Sequence, residues 1–204
     1  MKKLLIFMMS SLLSGCIGAL DFIPDWGDLA YSPQKEFTQI SGANDVVIGV
    51  KVNDKREEKS NKVGNRKNGL GIEMAPIMVN EDLTVTFKRV IEQELQARGF
   101  KPGSESLVTI DVDLNKFWND FQFGVVMNNA TAELGMSIVV HSKSGKTLYS
   151  RAMIAHGIAP KNINTDGDEA RLALSKALED GMKQLFQDSA FFAALIEGSK
   201  KVAS

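Results

Sequence analysis

The stretch SLVTIDVDLNKF, residues 106–117, carries the clearest secondary-structure pattern of the chain. Apolar and polar side chains alternate along it, which is the period of a β-strand with one buried face. The side chains expected to face the interior are Val108, Ile110, Val112 and Leu114. Because the residues between them are polar, the opposite face of the sheet is predicted to meet water.

Two further strands follow with the same alternation. Residues 130–141 (ATAELGMSIVVH) and 147–158 (TLYSRAMIAHGI) are separated by Ser144-Gly145, a dipeptide typical of tight hairpins. The three strands are therefore predicted to form an antiparallel meander. In the last strand, the residues expected to face the core are Leu148, Ile154 and Ile158.

Helices flank this meander in the sequence. The tripeptide NED, residues 80–82, caps a helix that is predicted to run through Arg98, with Gly99 at the C′ position, and its acidic residues suit the helix dipole. A capping box at residues 166–169 begins a second long helix, and a short helix over residues 189–197 ends the domain. Ahead of the first helix, residues 46–52 (VVIGVKV) are predicted to form a strand.

The element order β-α-β-β-β-α predicts an α/β (α+β) fold, a two-layer sandwich with a four-stranded mixed sheet. Its first two strands would be parallel through a right-handed crossover, and both main helices would cover one face. LAYSP, residues 29–33, is predicted to add an N-terminal edge strand. Residues 53–71 are predicted to be a mobile loop, whose mixed charges favour solvation over a phosphate or lipid-headgroup site.

The N-terminus has the layout of a bacterial lipoprotein signal. Lys2 and Lys3 precede the apolar run LLIFMMSSLL, residues 4–13, which is too short to span a bilayer. Leu13-Ser14-Gly15-Cys16 then resembles a lipobox, with Cys16 as the lipidated residue. The alternative is an ordinary secretory signal with a chance cysteine. Ile17 after the cysteine, instead of aspartate, favours the outer membrane.

This N-terminus sets the predicted domain organisation. Residues 1–15 are the signal peptide, residues 16–45 a lipidated tether, and residues 46–204 a single periplasmic α/β domain. The whole chain has 24 basic and 25 acidic residues, and this near-neutral balance does not indicate nucleic-acid binding.

The order of several short motifs resembles the YajG-like family of Gram-negative outer-membrane lipoproteins. These motifs are LAYSP, VNDKR, ELQARGF, VTIDVDLNKF, SGKTLYSRA and LFQDSAFFAAL, with Asp54-Lys55-Arg56 matching a recurring D-x-R step. The resemblance implies an outer-membrane lipoprotein whose domain faces the periplasm. It implies no catalytic activity and supplies no catalytic or binding residues.

Three groups of residues are candidate sites in their own right. Asp111 and Asp113 project from one strand face, as paired carboxylates do in glycoside hydrolases, but cross-strand pairing with partners such as Arg151 is favoured. His141 and His156 are the only histidines and make a poor metal site, so no metal and no cofactor is expected.

The third group is the aromatic segment FWNDFQF, residues 117–123, which we place at a hairpin tip around Asn119-Asp120. Its four aromatic residues form a candidate surface for docking a partner or the membrane interface. The alternative is that Phe117 and Phe121 fold back to cap the core. The candidate partner-binding residues are Phe117, Trp118, Phe121 and Phe123.

Together these features predict a membrane-anchored, non-catalytic binding or accessory module of the envelope, with an envelope protein as partner. The alternatives are a periplasmic hydrolase acting on cell-wall glycan and a carrier of a small apolar ligand. The absence of a convergent polar cluster in the sequence favours the first reading over the hydrolase.

Overall fold

The computed structural model describes residues 23–35, 37–67, 72–122, 129–160 and 167–200, with backbone only at residues 121, 122 and 129. These residues form a mixed α+β fold with one open sheet of eight strands and three helices. The strands are β1 Asp25–Gly27, β2 Val47–Asp54, β3 Lys62–Lys67, β4 Glu73–Val79, β5 Lys101–Pro102, β6 Val108–Gln122, β7 Asn129–Ser142 and β8 Thr147–Ala159. The helices are α1 Leu83–Ala97, α2 Gly167–Phe186 and α3 Ser189–Ser199.

Strand β6 is the centre of the sheet because it is long enough to take two different partners on one side. Its first half pairs in parallel with β2, from Ile48 opposite Val108 onward, and β5 follows β2. Its second half contacts β3, which continues through β4 to β1. On the other side β6 pairs with β7, and β7 with β8, both antiparallel. The predicted parallel first pair and antiparallel meander are confirmed.

The predicted number of strands, four, is too low, since the sheet has eight. Strand β3 lies inside the segment that was predicted to be a loop, and β4 follows that segment. The N-terminal edge strand exists but is Asp25–Gly27, paired with β4, and not residues 29–33. Each missed strand depends on distant pairing partners more than on its own apolar alternation, so local patterning could not reveal it.

Both long helices cover the same sheet face, as predicted. The inward side chains of β2, β6 and β7 form one cluster with the apolar stripes of α1 and α2. Phe87 of α1 packs edge-on against Phe117 of β6, with ring centroids 5.3 Å apart. The interior positions of this layer are filled by large side chains, and these are Phe87, Phe117, Ile110, Leu134, Met136 and Ile138.

Strand β8 differs from the prediction in its second half: Leu148 packs against the core as expected, but Ile154 and Ile158 do not face the helices. Ile154 and Ile158 are 57% and 56% exposed, whereas Ala155 and Ala159 are buried. The cause is the close approach of α2: a Cβ on Gly157 would lie 1.9 Å from the backbone oxygen of Ala173. Only small residues fit between this strand and the helix, so the bulky isoleucines point to the solvent face.

The outer edge of β8 is covered by side chains of α2. Lys176, Asp180 and Gln184, spaced four residues apart, make hydrogen bonds of 2.9–3.3 Å to backbone groups within residues 154–158. This arrangement satisfies donors and acceptors that an edge strand otherwise presents to other chains. The backbone edge of β8 at residues 154–158 is therefore already hydrogen-bonded by side chains of α2.

Residues 29–35 and 37–40, which we call the strap, lie against the C-terminal end of α1 and are held by a buried ion pair. The Glu94 carboxylate accepts hydrogen bonds from the Tyr31 hydroxyl and, at 3.1 Å, from the Gln34 backbone N–H. Arg98 at the end of α1 pairs with the other oxygen of Glu94 and donates to the Gln34 side chain at 3.1 Å. The strap is thereby fixed to the helix layer.

Candidate functional site

Trp118 lies in the middle of a strand on the outer, helix-free face of the sheet. The predicted hairpin tip at Asn119-Asp120 is wrong: β6 runs through these residues to Gln122, and Asn119 is buried. Trp118 is partly exposed opposite Glu133 of β7. The ammonium group of Lys62 lies over its ring, 5.6 Å from the centroid, in a cation–π contact.

A β-bulge turns Trp118 outward. The pairing of β6 with β7 shifts between Leu114 and Lys116, so Asn115 is an extra residue in the strand. Before the bulge, odd-numbered residues such as Asp113 face outward. After it, even-numbered residues do, and Phe117 points into the core. The sequence pattern alone did not show this change of phase.

Beside Trp118 the outer face forms an open cleft of about 440 Å³. Its walls combine an aromatic ring with polar and charged side chains; the lining residues are Arg56, Glu57, Glu58, Asn115, Lys116, Phe117 and Trp118. Lys116 forms a 3.1 Å ion pair with Glu133. This mixture is typical of a surface that binds a polar partner around an aromatic anchor.

The wall of the cleft is built by Arg56, the arginine of the D-x-R step. Its guanidinium binds both carboxylate oxygens of Asp54, at 2.9 and 2.7 Å. It also donates to the backbone oxygens of Ser60 and Lys62, at 2.7 and 3.1 Å. Arg56 is 5% exposed, so these bonds act as an internal brace that holds the connection between β2 and β3.

Trp118 belongs to a longer outer row that crosses four neighbouring strands. Trp26 of β1 is opposite Met78 of β4, Met78 is opposite Lys62 of β3, and Lys62 covers Trp118 of β6. Three strand spacings separate the ends of the row, or about 14 Å. The row contains both tryptophans of the chain. Sequence reasoning missed it because the register of β3 and β4 leaves no local signal.

Of the other predicted site residues, one is buried and the rest are described only in part or not at all. Phe117 is buried against Phe87, as in the alternative in which it closes the core. The backbone of Phe121 lies opposite Ala130 in the sheet, and the structure describes only the backbone at this residue. Phe123 and Cys16 fall outside the described residues. Docking at the aromatic segment and lipidation at Cys16 remain predictions.

Asp111 and Asp113 do lie on the outer face, but their partners are not the predicted one. Asp111 is 3.6 Å from His141, and Asp113 accepts a 2.9 Å hydrogen bond from the Asn53 amide. Arg151 instead faces the helices, where it pairs with Asp188 at 2.9 Å. It could not reach the aspartates because β7 separates β8 from β6 and the phase of β8 is reversed.

Two tyrosines have strongly shifted acidities. Burial, together with the hydrogen bond to Glu94, raises the pKa of Tyr31 far above its usual range. Burial and a hydrogen bond to Asp188 raise the pKa of Tyr149 to about 12. Both groups lie on the helix side of the sheet, away from the cleft, so they bear on stability more than on binding.

Neither a metal site nor a spanning helix is found in the part of the chain that the structure describes. No three His, Cys, Asp or Glu side chains there are grouped closely enough to hold a metal ion. Among the same residues, no helix has the length and apolar character needed to cross a membrane.

The family model of Lipoprotein_16, described as uncharacterized lipoprotein, matches residues 33–195. The chain belongs to this lipoprotein family, which confirms the recognition of a YajG-like lipoprotein. No curated protein matches the chain.

Solved structures share the fold at low sequence identity. A protein from Xanthomonas campestris is 14% identical with a TM-score of 0.56, and the match covers 84% of this chain and 96% of that one. A homologue of a neuraminyllactose-binding hemagglutinin from Helicobacter pylori is 10% identical with a TM-score of 0.51, covering 84% and 97%. At such identities these similarities establish the architecture alone.

Proposed function

We propose that this chain is an envelope lipoprotein, anchored in the outer membrane through Cys16, whose domain faces the periplasm as a non-catalytic binding module. The observation that carries the binding role is the outer sheet face at Trp118, where an aromatic ring adjoins an open cleft bordered by charged side chains. Membership of a lipoprotein family supports the anchor, because that family and the lipobox at residues 13–16 point to the same processing.

The hydrolase alternative is weaker because its two carboxylates already have structural partners. Asp113 accepts a hydrogen bond from Asn53, Asp111 lies 3.6 Å from His141, and neither aspartate lines the cleft at Trp118. A pair of catalytic carboxylates needs a substrate site between them.

The carrier alternative is weaker for a packing reason. Large side chains such as Phe87, Phe117 and Met136 fill the space between sheet and helices. A carrier would need an apolar cavity of several hundred Å³ in that layer. The cleft beside Trp118 is instead open to solvent and includes charged side chains of the segment between β2 and β3.

The anchor is tested by metabolic labelling with palmitate. The wild-type chain should incorporate label and sediment with membranes, whereas Cys16→Ser should do neither, because the acylated thiol is missing. Palmitate incorporation by the Cys16→Ser variant would contradict the assignment of Cys16.

The binding surface is tested by Trp118→Ala, with Val85→Ala as the matched control. Val85 is an exposed apolar residue of α1, on the opposite layer from Trp118. If Trp118 is a hot spot, its loss should weaken partner binding by about 2 kcal/mol or more, which is roughly 30-fold. Equal losses from both variants would remove the argument for this face.

A further inference from the structure

Exposed apolar residues cluster at the end of the domain where the chain leaves for Cys16. Ile23 and Trp26 are 55% and 52% exposed, and Trp26 is in the edge strand β1 beside the half-buried Met78. Large exposed apolar side chains grouped at one edge mark an interaction site. Tryptophan in particular prefers the boundary between water and lipid, because its ring is apolar and its N–H is polar.

The negative charges beside this edge are compensated only in part. Asp25 and Asp168 both pair with Arg171, at 3.0 and 2.5 Å. Asp28 accepts a 2.9 Å hydrogen bond from the Asn80 amide. One guanidinium offsets one of three carboxylates, so contact of β1 with a bilayer has to come from its apolar side chains and not from attraction to anionic headgroups.

The short stretch of chain between Cys16 and Ile23 limits which end of the domain can reach the membrane. Ile23 is seven residues after Cys16, a span of at most roughly 25 Å when fully extended. The β1 edge is bound to the N-terminal end of α2 through Asp25, which accepts from the Gly167 N–H at 2.9 Å. Helix α3 follows the other end of α2, about 30 Å away.

We propose that the β1 edge, through Ile23 and Trp26, rests on the phospholipid surface that holds the Cys16 lipid, so that the sheet stands edge-on to the membrane. In this orientation Trp118 lies about 14 Å further along the outer row and stays open to the periplasm. The inference rests on the proposed anchor at Cys16. It adds the orientation of the domain on the membrane: the cleft faces parallel to the membrane plane and is free for a partner.

The two tryptophans of the chain make this orientation measurable, because each can be observed alone. Trp118→Phe leaves only Trp26, and Trp26→Phe leaves only Trp118. The full lipidated protein is reconstituted in vesicles of phosphatidylethanolamine and phosphatidylglycerol that carry brominated acyl chains. Vesicle flotation and the mass of the acylated peptide first establish that Cys16 is lipidated.

The expected result is asymmetric. Brominated lipid should remove most of the Trp26 emission and shift it to shorter wavelength, whereas Trp118 should remain open to aqueous acrylamide. Cys16→Ser protein added to the same vesicles should lose the Trp26 quenching, since two side chains alone bind a bilayer weakly.

Each other outcome overturns the inference in a distinct way. If the protein floats with vesicles but Trp26 is unquenched, the edge contact is wrong and the anchor stands. If both tryptophans are quenched alike, the sheet lies flat on the bilayer. If both are shielded from acrylamide without lipid quenching, a second copy of the chain covers the row. If the lipidated peptide is missing, the proposed anchor fails and the edge contact fails with it.

Discussion

Replacing Arg98 with methionine should lower the free energy of unfolding by about 3–5 kcal/mol, the usual effect of breaking a buried ion pair. The side chain of Arg98 is 3% exposed and that of its partner Glu94 is 0% exposed. After the substitution, the Glu94 carboxylate would remain buried with only the Tyr31 hydroxyl and the Gln34 N–H as partners. Two neutral donors do not replace the lost cation.

A second contact places the expected loss in the upper part of this range. The Arg98 guanidinium lies 4.7 Å from the centroid of the Phe186 ring, a cation–π contact worth about 0.5–2 kcal/mol. Methionine keeps the apolar stem of the side chain, so the change removes mainly the charge and its hydrogen bonds.

The assay is urea unfolding at neutral pH, with Arg89→Met as the matched control on the same helix. Arg89 pairs with Glu81 at 2.8 Å, but both side chains are nearly half exposed, so the control should lose less than about 1 kcal/mol. The double variant Glu94→Leu with Arg98→Met should recover much of the stability, because no buried charge is left unpaired. Equal losses for the two single arginine variants would refute the reasoning.

Three further predictions concern packing, pH and the aspartates. Gly157→Ala should destabilise the domain by about 1–3 kcal/mol or more in thermal unfolding, because the new methyl group would collide with the α2 backbone. Burial and the Asp188 hydrogen bond raise the pKa of Tyr149 to about 12, whereas an unfolded tyrosine ionises near pH 10. The stabilisation is therefore complete below pH 10 and is lost between pH 10 and 12, and Tyr149→Phe should reduce that loss in urea titrations. Changing Asp111 and Asp113 together to asparagine should leave the fold and any cellular phenotype intact, and loss of a glycan-cleaving activity would instead favour the hydrolase.

The central strand and its antiparallel partners could be predicted because their residues alternate strictly. Strand β6 up to Leu114, most of β7 and the extents of the helices follow from local patterning and capping residues. The prediction failed where distant contacts set the phase. The bulge at Asn115 and the close approach of α2 to Gly157 each reverse which residues face inward.

The candidate site was predicted in part, and for an incomplete reason. Trp118 was selected as an exposed aromatic residue at a turn, but it is exposed because a bulge turns it outward from a continuous strand. Its neighbours Lys62 and Met78 come from strands β3 and β4, whose pairing has no sequence signature. The place of Trp26 in an edge strand depends on pairing with β4, which the sequence does not show.

The most direct test of a lipid-anchored binding module is photo-crosslinking in intact cells, with the photoreactive residue placed at position 118 or, as control, at position 85. Both positions are at the surface, but they lie on opposite layers of the domain. The account predicts a discrete crosslinked product from position 118 that requires Cys16 and is missing from position 85. No product from position 118, or the same product from both positions, would contradict it.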